Sequence, residues 1–229
     1  MFYLVALIGT LSLLAPTTVW ADMEAGEAAY VRADYETALQ ELQPQAMEGN
    51  ARAQFILGRM YANGTAVSQS DTEAIRWYEL AAQQGFYLAQ DSLASMYFYG
   101  YGIEQSYKEA VHWWHKAAEQ GHSGAQARLG YIYRSGKAAE KDETESVKWF
   151  RMAAMQGHMD AQQNLGLMYA SGQGVPQDYV SAYVWWFRAR KQGSKTAERN
   201  LTILQPLMSQ EEVSKARQKI SEEQQPTVK

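Results

Sequence analysis

Cysteine is absent from the 229 residues. Its absence excludes disulfides, thiolate metal sites, a cysteine nucleophile and a lipid-modified N-terminal cysteine. Charge is missing from one place: residues 1–21 contain no Asp, Glu, Lys or Arg. Elsewhere the signs are mixed. The net charge is −4 without long blocks, so no electrostatic footprint for nucleic acid is visible. Catalytic signatures are lacking as well. Neither Ser-x-x-Lys nor Gly-x-x-x-x-Gly-Lys occurs, although nucleophilic catalysis needs a base in reach and phosphate cradling needs such a loop. The carboxylate pairs Asp142/Glu143 and Glu211/Glu212 fall at expected helix starts, where the dipole favours negative charge. His112 and His115 stand three apart with His122 close in sequence, but a structural zinc takes four ligands. The reading is of a non-enzyme with no catalytic residues, no cofactor and no metal.

The uncharged N-terminus has a pattern of its own. An apolar run from Phe2 to Leu14 ends at Pro16, and Val19 and Ala21 place small residues at the −3 and −1 positions of a cleavage site. This reads as a secretory signal removed after Ala21. No basic residue precedes the run. The run is shorter than the roughly 20 residues of a comfortable membrane span. The mature chain would begin at Asp22 and be periplasmic or secreted, with no stable membrane span after cleavage. An uncleaved signal acting as an anchor is the alternative.

The remainder is dominated by one stretch written four times. Leu57-Gly58-Arg59-Met60-Tyr61 with Gly64 returns as Leu93-Ala94-Ser95-Met96-Tyr97 with Gly100. It returns again as Leu129-Gly130-Tyr131-Ile132-Tyr133 with Gly136, and as Leu165-Gly166-Leu167-Met168-Tyr169 with Gly172. Trp77, Trp113, Trp149 and Trp185 keep step, as do Gly85, Gly121, Gly157 and Gly193. A fixed period of about 36 residues marks stacked supersecondary units. The chain therefore divides into a signal (1–21), an N-terminal half repeat (22–49) and four repeats (50–85, 86–121, 122–157, 158–193). A C-terminal half repeat with a capping helix and tail follows (194–229).

Each repeat reads as two helices. Helix A runs from about Ala51 to Asn63 in the first copy, with Ala53, Leu57, Met60 and Tyr61 on one face. Gly64 follows where a left-handed residue is cheapest as glycine. Helix B starts near Ser70, whose counterparts are Ser106, Asp142 and Asp178; Glu73, Glu109 and Glu145 stand three residues on, predicting capping boxes in three copies. Ala74, Trp77 or Tyr78, and Ala81 form its buried stripe. His122 and His158 lie one repeat apart, in register with Asn50 and Ser194, which predicts an end-of-helix role. Before the first repeat, Asp34 is an N-cap candidate, and Pro44 is expected to stop or bend its helix. After the last, Ala197 and Leu201 continue the pattern until Pro206. Ser209 to Glu212 then opens a capping helix carrying Val213, Ala216 and Ile220.

At these residues the chain resembles the Sel1-like repeat, a relative of the tetratricopeptide repeat. The pattern is Ala-x-x-x-Leu-Gly-x-x-Tyr-x-x-Gly, a glycine-valine loop, Asp, then Ala-x-x-Trp-x-x-x-Ala-Ala-x-x-Gly. The fourth copy follows it through Gly172, Gly174, Val175, Asp178, Ala182 and Trp185; Ala66 and Ala138 replace the second loop glycine, and Ala94 replaces a helix glycine. The resemblance implies an all-α fold, an α/α superhelical solenoid of antiparallel helix pairs with a concave surface lined by A helices. It also implies a protein–protein adaptor, and exported bacterial members are tied to envelope regulation, surface assembly or host contact.

Mapped by the shared register, groove positions fall on Phe55, Arg59, Asp91, Phe98, Tyr99, Tyr131, Arg134 and Leu167. Neighbouring groove positions fall on Ser95, Ala127, Gln163 and Ala170. They vary between copies while core positions do not. Phe55, Phe98, Tyr99 and Tyr131 are aromatics that stacking does not require, and aromatics with arginine are the composition of binding hot spots. The competing reading has Phe55 and Phe98 packing on the neighbouring helix. Tyr101 and Lys137, in variable loops, read as solvated. The sequence thus points to an exported adaptor that holds a protein or peptide segment in its groove. Alternatives are a structural component of an envelope assembly using the outer face or ends, a regulator anchored by its signal, or a hydrolase.

Overall fold

A computed structural model describes residues 17–224; the apolar run from Phe2 to Leu14 lies outside them. Among the described residues there are twelve α-helices and no strands. They are α1 (Thr17–Val31), α2 (Tyr35–Met47), α3 (Ala51–Asn63), α4 (Asp71–Gln83), α5 (Tyr87–Tyr99), α6 (Tyr107–Glu119), α7 (Ser123–Ser135), α8 (Glu143–Met155), α9 (Met159–Ser171), α10 (Tyr179–Lys191), α11 (Lys195–Leu204) and α12 (Gln210–Gln224). Each odd helix up to α9 packs most closely on the even helix after it, and each even helix packs next on the odd helix that follows. The result is a solenoid in which every hairpin buries its apolar stripe against its neighbours.

The turns are built from a few repeated devices. Gly64, Gly100, Gly136 and Gly172 are left-handed and close the A helices. The N-caps of α3, α7, α9 and α11 are Asn50, His122, His158 and Ser194, each accepting from backbone N–H groups of the first turn. The B helices are capped by Ser70, Ser106, Asp142 and Asp178. Only half of the expected capping box forms there. Ser70 Oγ accepts from the Glu73 N–H, but the Ser70 N–H donates to the Tyr61 carbonyl at 2.9 Å instead of to Glu73. The same bond recurs from Ser106 to Tyr97, Asp142 to Tyr133 and Asp178 to Tyr169. The carbonyl at the end of helix A takes the donor and ties the two helices together. The full reciprocal box forms at Ser209 and Glu212, where no such carbonyl competes.

The core sits between the layers. Small A-helix residues admit a large B-helix ring: a Cβ on Gly130 would lie 2.6 Å from Phe150, and one on Gly166 would lie 2.6 Å from Trp186. Tyr78, Trp114, Phe150 and Trp186 are all buried, so this position, one after the periodic Trp, is the more consistent core aromatic. Burial pushes the Tyr78 hydroxyl up to about 12. Four buried glutamines run through the stack. Gln54, Gln90, Gln126 and Gln162 each donate Nε2 to a carbonyl of the preceding B helix (Ala46, Ala82, Ala118, Ala154). Each accepts at Oε1 from a glutamine thirty residues on (Gln84, Gln120, Gln156, Gln192), always at 2.8 Å. A buried amide with both ends satisfied fixes the register between hairpins.

The two ends differ from expectation. The stretch read as a half repeat holds parts of two paired helices, α1 and α2. Pro44 neither stops nor breaks α2, which continues to Met47. Gln40, whose carbonyl loses its partner, and Pro44 itself are both exposed, so water can satisfy the freed group. At the other end a 3₁₀ turn, Gln205–Leu207, follows α11. The capping helix α12 then packs across α10 rather than pairing with α11, burying Ala216 and Ile220 there. No helix among the described residues is long and apolar enough to cross a membrane.

Candidate functional site

Phe98 and Tyr99 occupy the last turn of α5, just before left-handed Gly100. Tyr131 projects from the middle of α7. The solenoid brings these three sequence-predicted residues together around one recess of about 190 Å³, completed by Trp114, Arg128 and Ile132. Tyr99 is 53 % exposed and Tyr131 40 %. Phe98 is half-buried, its ring 5.2 Å from Trp114 and 5.1 Å from Tyr107. Tyr99 stacks on Tyr101 at 5.3 Å, so the loop tyrosine read as solvated extends this aromatic surface. Lys137, also read as solvated, places Nζ 5.3 Å over the Phe98 ring.

Polar contacts hold the recess in shape. Trp114 Nε1 donates to Asp91 Oδ1 at 3.0 Å, and Arg128 Nε reaches the same oxygen at 3.3 Å. The Arg128 guanidinium lies 5.4 Å over Trp114. Asp91 therefore serves as a brace, with two donors already on one oxygen. In the fourth repeat the matching Trp186 donates to the Gln163 carbonyl, so the side-chain brace belongs to the middle of the chain. On the other wall Asn164 donates to the Tyr131 hydroxyl at 2.7 Å and accepts from Arg134 Nη1. Arg134 also lies 5.2 Å over Tyr131. His122 lies near Asp91 and Arg128, and burial holds its imidazole below the usual value, Asp91 opposing that shift and Arg128 adding to it.

The remaining predicted positions lie elsewhere. Phe55 is 8 % exposed; its ring packs against Phe86 at 5.3 Å and Tyr78 at 6.0 Å, so it belongs to the interior. Arg59 is exposed and lies over Tyr30 and Phe55. Leu167 lines a separate apolar recess of about 230 Å³ with Ile203, Leu204 and Leu207. Arg128 was missed by sequence reasoning, although its position varies from Ile56 to Ser92 to Arg128 to Asn164, the same signal that marked the other groove residues. On the opposite, B-helix side a wider recess of about 810 Å³ surrounds Trp77, Met47 and Leu80. His112 and His115 are not part of any metal-capable cluster among the described residues; His115 instead bonds the Tyr133 hydroxyl at 3.0 Å.

The model of the Sel1 repeat matches residues 51–86, 88–122, 123–158 and 160–194. The chain belongs to the Sel1 repeat family. Among solved structures it is similar to a protective antigen of uropathogenic Escherichia coli strains displaying an SLR fold, at 33% identity and a TM-score of 0.80. That match covers 86% of this chain and 44% of the antigen, so the chain spans less than half the antigen's length. It is also similar to a Sel1 repeat protein from Oxalobacter formigenes, at 34% identity and a TM-score of 0.74, covering 79% of this chain and 72% of that one. No match was found among curated proteins. Sel1 repeat proteins are typically protein–protein interaction scaffolds.

Proposed function

We propose that the protein is an exported Sel1 repeat adaptor that binds a segment of a partner protein on its A-helix face, centred on the recess between Phe98, Tyr99 and Tyr131. The observation that carries this reading is the braced aromatic wall: exposed tyrosines backed by Trp114 and an Asp91–Arg128 pair. Large rigid aromatics beside arginine supply contact area at low entropic cost. The recess is smaller than the roughly 300–1,000 Å³ typical of small-molecule sites, and so suits one anchoring side chain. Export rests on the N-terminal pattern. Cleavage after Ala21 leaves Met23, Gly26 and Ala29 of α1 in place; these residues are buried, and Gly26 abuts Leu42 of α2. No catalytic step belongs to this reading.

Affinity capture from the envelope fraction tests it, using the chain from Asp22 with and without Tyr99→Ala and Tyr131→Ala. Tyr99 is preferable to Phe98, whose packing on Trp114 would confound the result; Tyr131 touches Phe150 at 5.1 Å, so each single variant is compared with the double one. A partner lost by the double variant, with helicity unchanged, supports groove binding. A partner retained by both moves the site elsewhere. N-terminal sequencing of the exported protein tests the cleavage, and an intact N-terminus would favour an anchor. A second reading, a structural component using its outer face, is favoured by the B-side recess, where Trp77 Nε1 is buried without a partner. Retention by the tyrosine variant and loss by Leu80→Glu would select it.

A further inference from the structure

The A helices of the four repeats carry an unbalanced charge. Across α3, α5, α7 and α9 there are four arginines, Arg52, Arg59, Arg128 and Arg134, and two acids, Asp91 and Asp160; Arg52 is paired with Glu27 of α1, which leaves the surplus to the other three. Both acids are engaged, Asp91 with Trp114 and Arg128 and Asp160 with Gln163. Arg134 and Lys137 form no ion pair among the described residues and instead lie over rings that border the central recess. Arg128 uses Nε on Asp91, and its fork has further donors. The surplus is local, because the whole chain is net negative at −4, and the α1–α2 hairpin carries Asp22, Glu24, Glu27, Asp34, Glu36 and Glu41 against Arg32.

We propose that the occupant of this recess is an acidic protein segment: one aliphatic or aromatic side chain enters between Phe98, Tyr99 and Tyr131 while flanking carboxylates pair with Arg128, Arg134 and Lys137. The proposal rests on the A-face reading above. Cations lying over aromatic faces at a partly exposed rim keep their charge available to a carboxylate, and opposite charge at a rim steers encounter and selects the partner.

The probe is a phage-displayed library of random 12-residue peptides, selected on the full chain with counter-selection on the Tyr99→Ala/Tyr131→Ala variant. The expected result is enrichment of peptides rich in Asp and Glu around a Leu, Phe, Tyr or Trp. Their synthetic forms should weaken as salt is raised, and Arg134→Glu should reduce affinity about tenfold. Lys137→Glu gives a second reading should Arg134→Glu disturb folding through Asn164, since Lys137 Nζ lies over the Phe98 and Tyr107 rings and forms no ion pair among the described residues. Neutral or basic peptides that depend on Tyr99 and Tyr131 and ignore salt would overturn the acidic occupant and leave the groove reading standing. Peptides that bind the counter-selection variant equally well would overturn both. An absence of enrichment would overturn the acidic occupant, with the capture experiment still deciding the groove.

Discussion

Gln126 and Arg128 stand two residues apart on α7, yet they belong to different regimes. Gln126 is 1 % exposed and makes the same two bonds as three other glutamines at the same place in their repeats. Arg128 is partly exposed and makes contacts that no other repeat reproduces. The interior of the stack is periodic because each hairpin must fit the next; a change at one interface breaks a pattern used four times. The A face is aperiodic because no one set of contacts is repeated there; Asp91–Arg128 and Tyr131–Asn164 each join a different pair of hairpins. Position for position, the comparison separates residues that repeat to build the solenoid from residues that differ in each copy.

The sharpest way to break that distinction is to truncate one aromatic of each kind. Phe150 is fully buried behind Gly130, and Phe150→Ala should destabilise by about 3–5 kcal/mol. Tyr99→Ala, at a half-exposed ring stacked only on neighbours at the rim, should stay within about 0.5 kcal/mol. Urea unfolding of both variants decides the matter, and comparable losses would show that the rim aromatics are structural after all. Next in size is Gln126→Leu. It takes one donor from the Ala118 carbonyl, which keeps the Gly121 N–H, and leaves the Gln156 amide without its Gln126 acceptor; the two lost hydrogen bonds are worth about 1–3 kcal/mol together. A double-mutant cycle with Gln156→Ala should show coupling, because the two side chains share one bond.

Much of the frame was readable because its signals are local. The left-handed glycines, the N-caps at Asn50, His122, His158 and Ser194, and the helix starts at Ser70 and Ser106 each depend on residues within one turn. The glutamine ladder was present in the sequence at the same 36-residue spacing, but a polar residue on a helix is read as solvated until its partners are known. Phe55 and Phe98 both fell at register positions facing the groove. Their fates diverge because Phe86 covers Phe55, whereas Phe98 borders the open recess. Asp91 and Arg128 come from different repeats, and no local rule pairs them. At Pro44 local chemistry alone predicts a break, and whether the freed carbonyl meets water depends on the helix's orientation.

A smaller effect probes the frame through pH. His122 caps α7 by accepting from the Ala125 N–H at Nδ1, which requires that nitrogen to be unprotonated. Burial lowers the affinity of His122 for a proton, and it lowers that of His115 as well. An unfolded imidazole titrates near 6.5, so between that value and the lower folded one the unfolded chain binds more protons. Stability is therefore full above about pH 6.5 and declines as pH falls through the folded value. The urea midpoint should drop between pH 7.5 and pH 5, and His122→Asn, which keeps a capping oxygen without the titration, should flatten part of that slope. The share due to His115 should persist.

The smallest effect lies where the two regimes meet. Position 86 is the N-cap of α5, in register with Asn50, His122 and His158, but Phe86 makes no side-chain capping bond. Its ring instead packs on Phe55 at 5.3 Å and Tyr87 at 6.0 Å. One frame position has thus exchanged a hydrogen bond for aromatic contact, and the two contributions can be separated. Phe86→His keeps a flat ring and adds an acceptor aimed as in His122, whose own ring lies 5.3 Å from Tyr87. A cap is worth about 0.5–2 kcal/mol, reduced by the poorer fit of a polar ring against Phe55. The net gain should be a few tenths to 1 kcal/mol, seen as a rise in Tm of about 1–4 °C for a chain of this size. Phe86→Asn supplies the same cap without the ring and should lower Tm. Equal losses from both would mean that packing alone governs position 86, and that the frame tolerates a missing cap at no measurable cost.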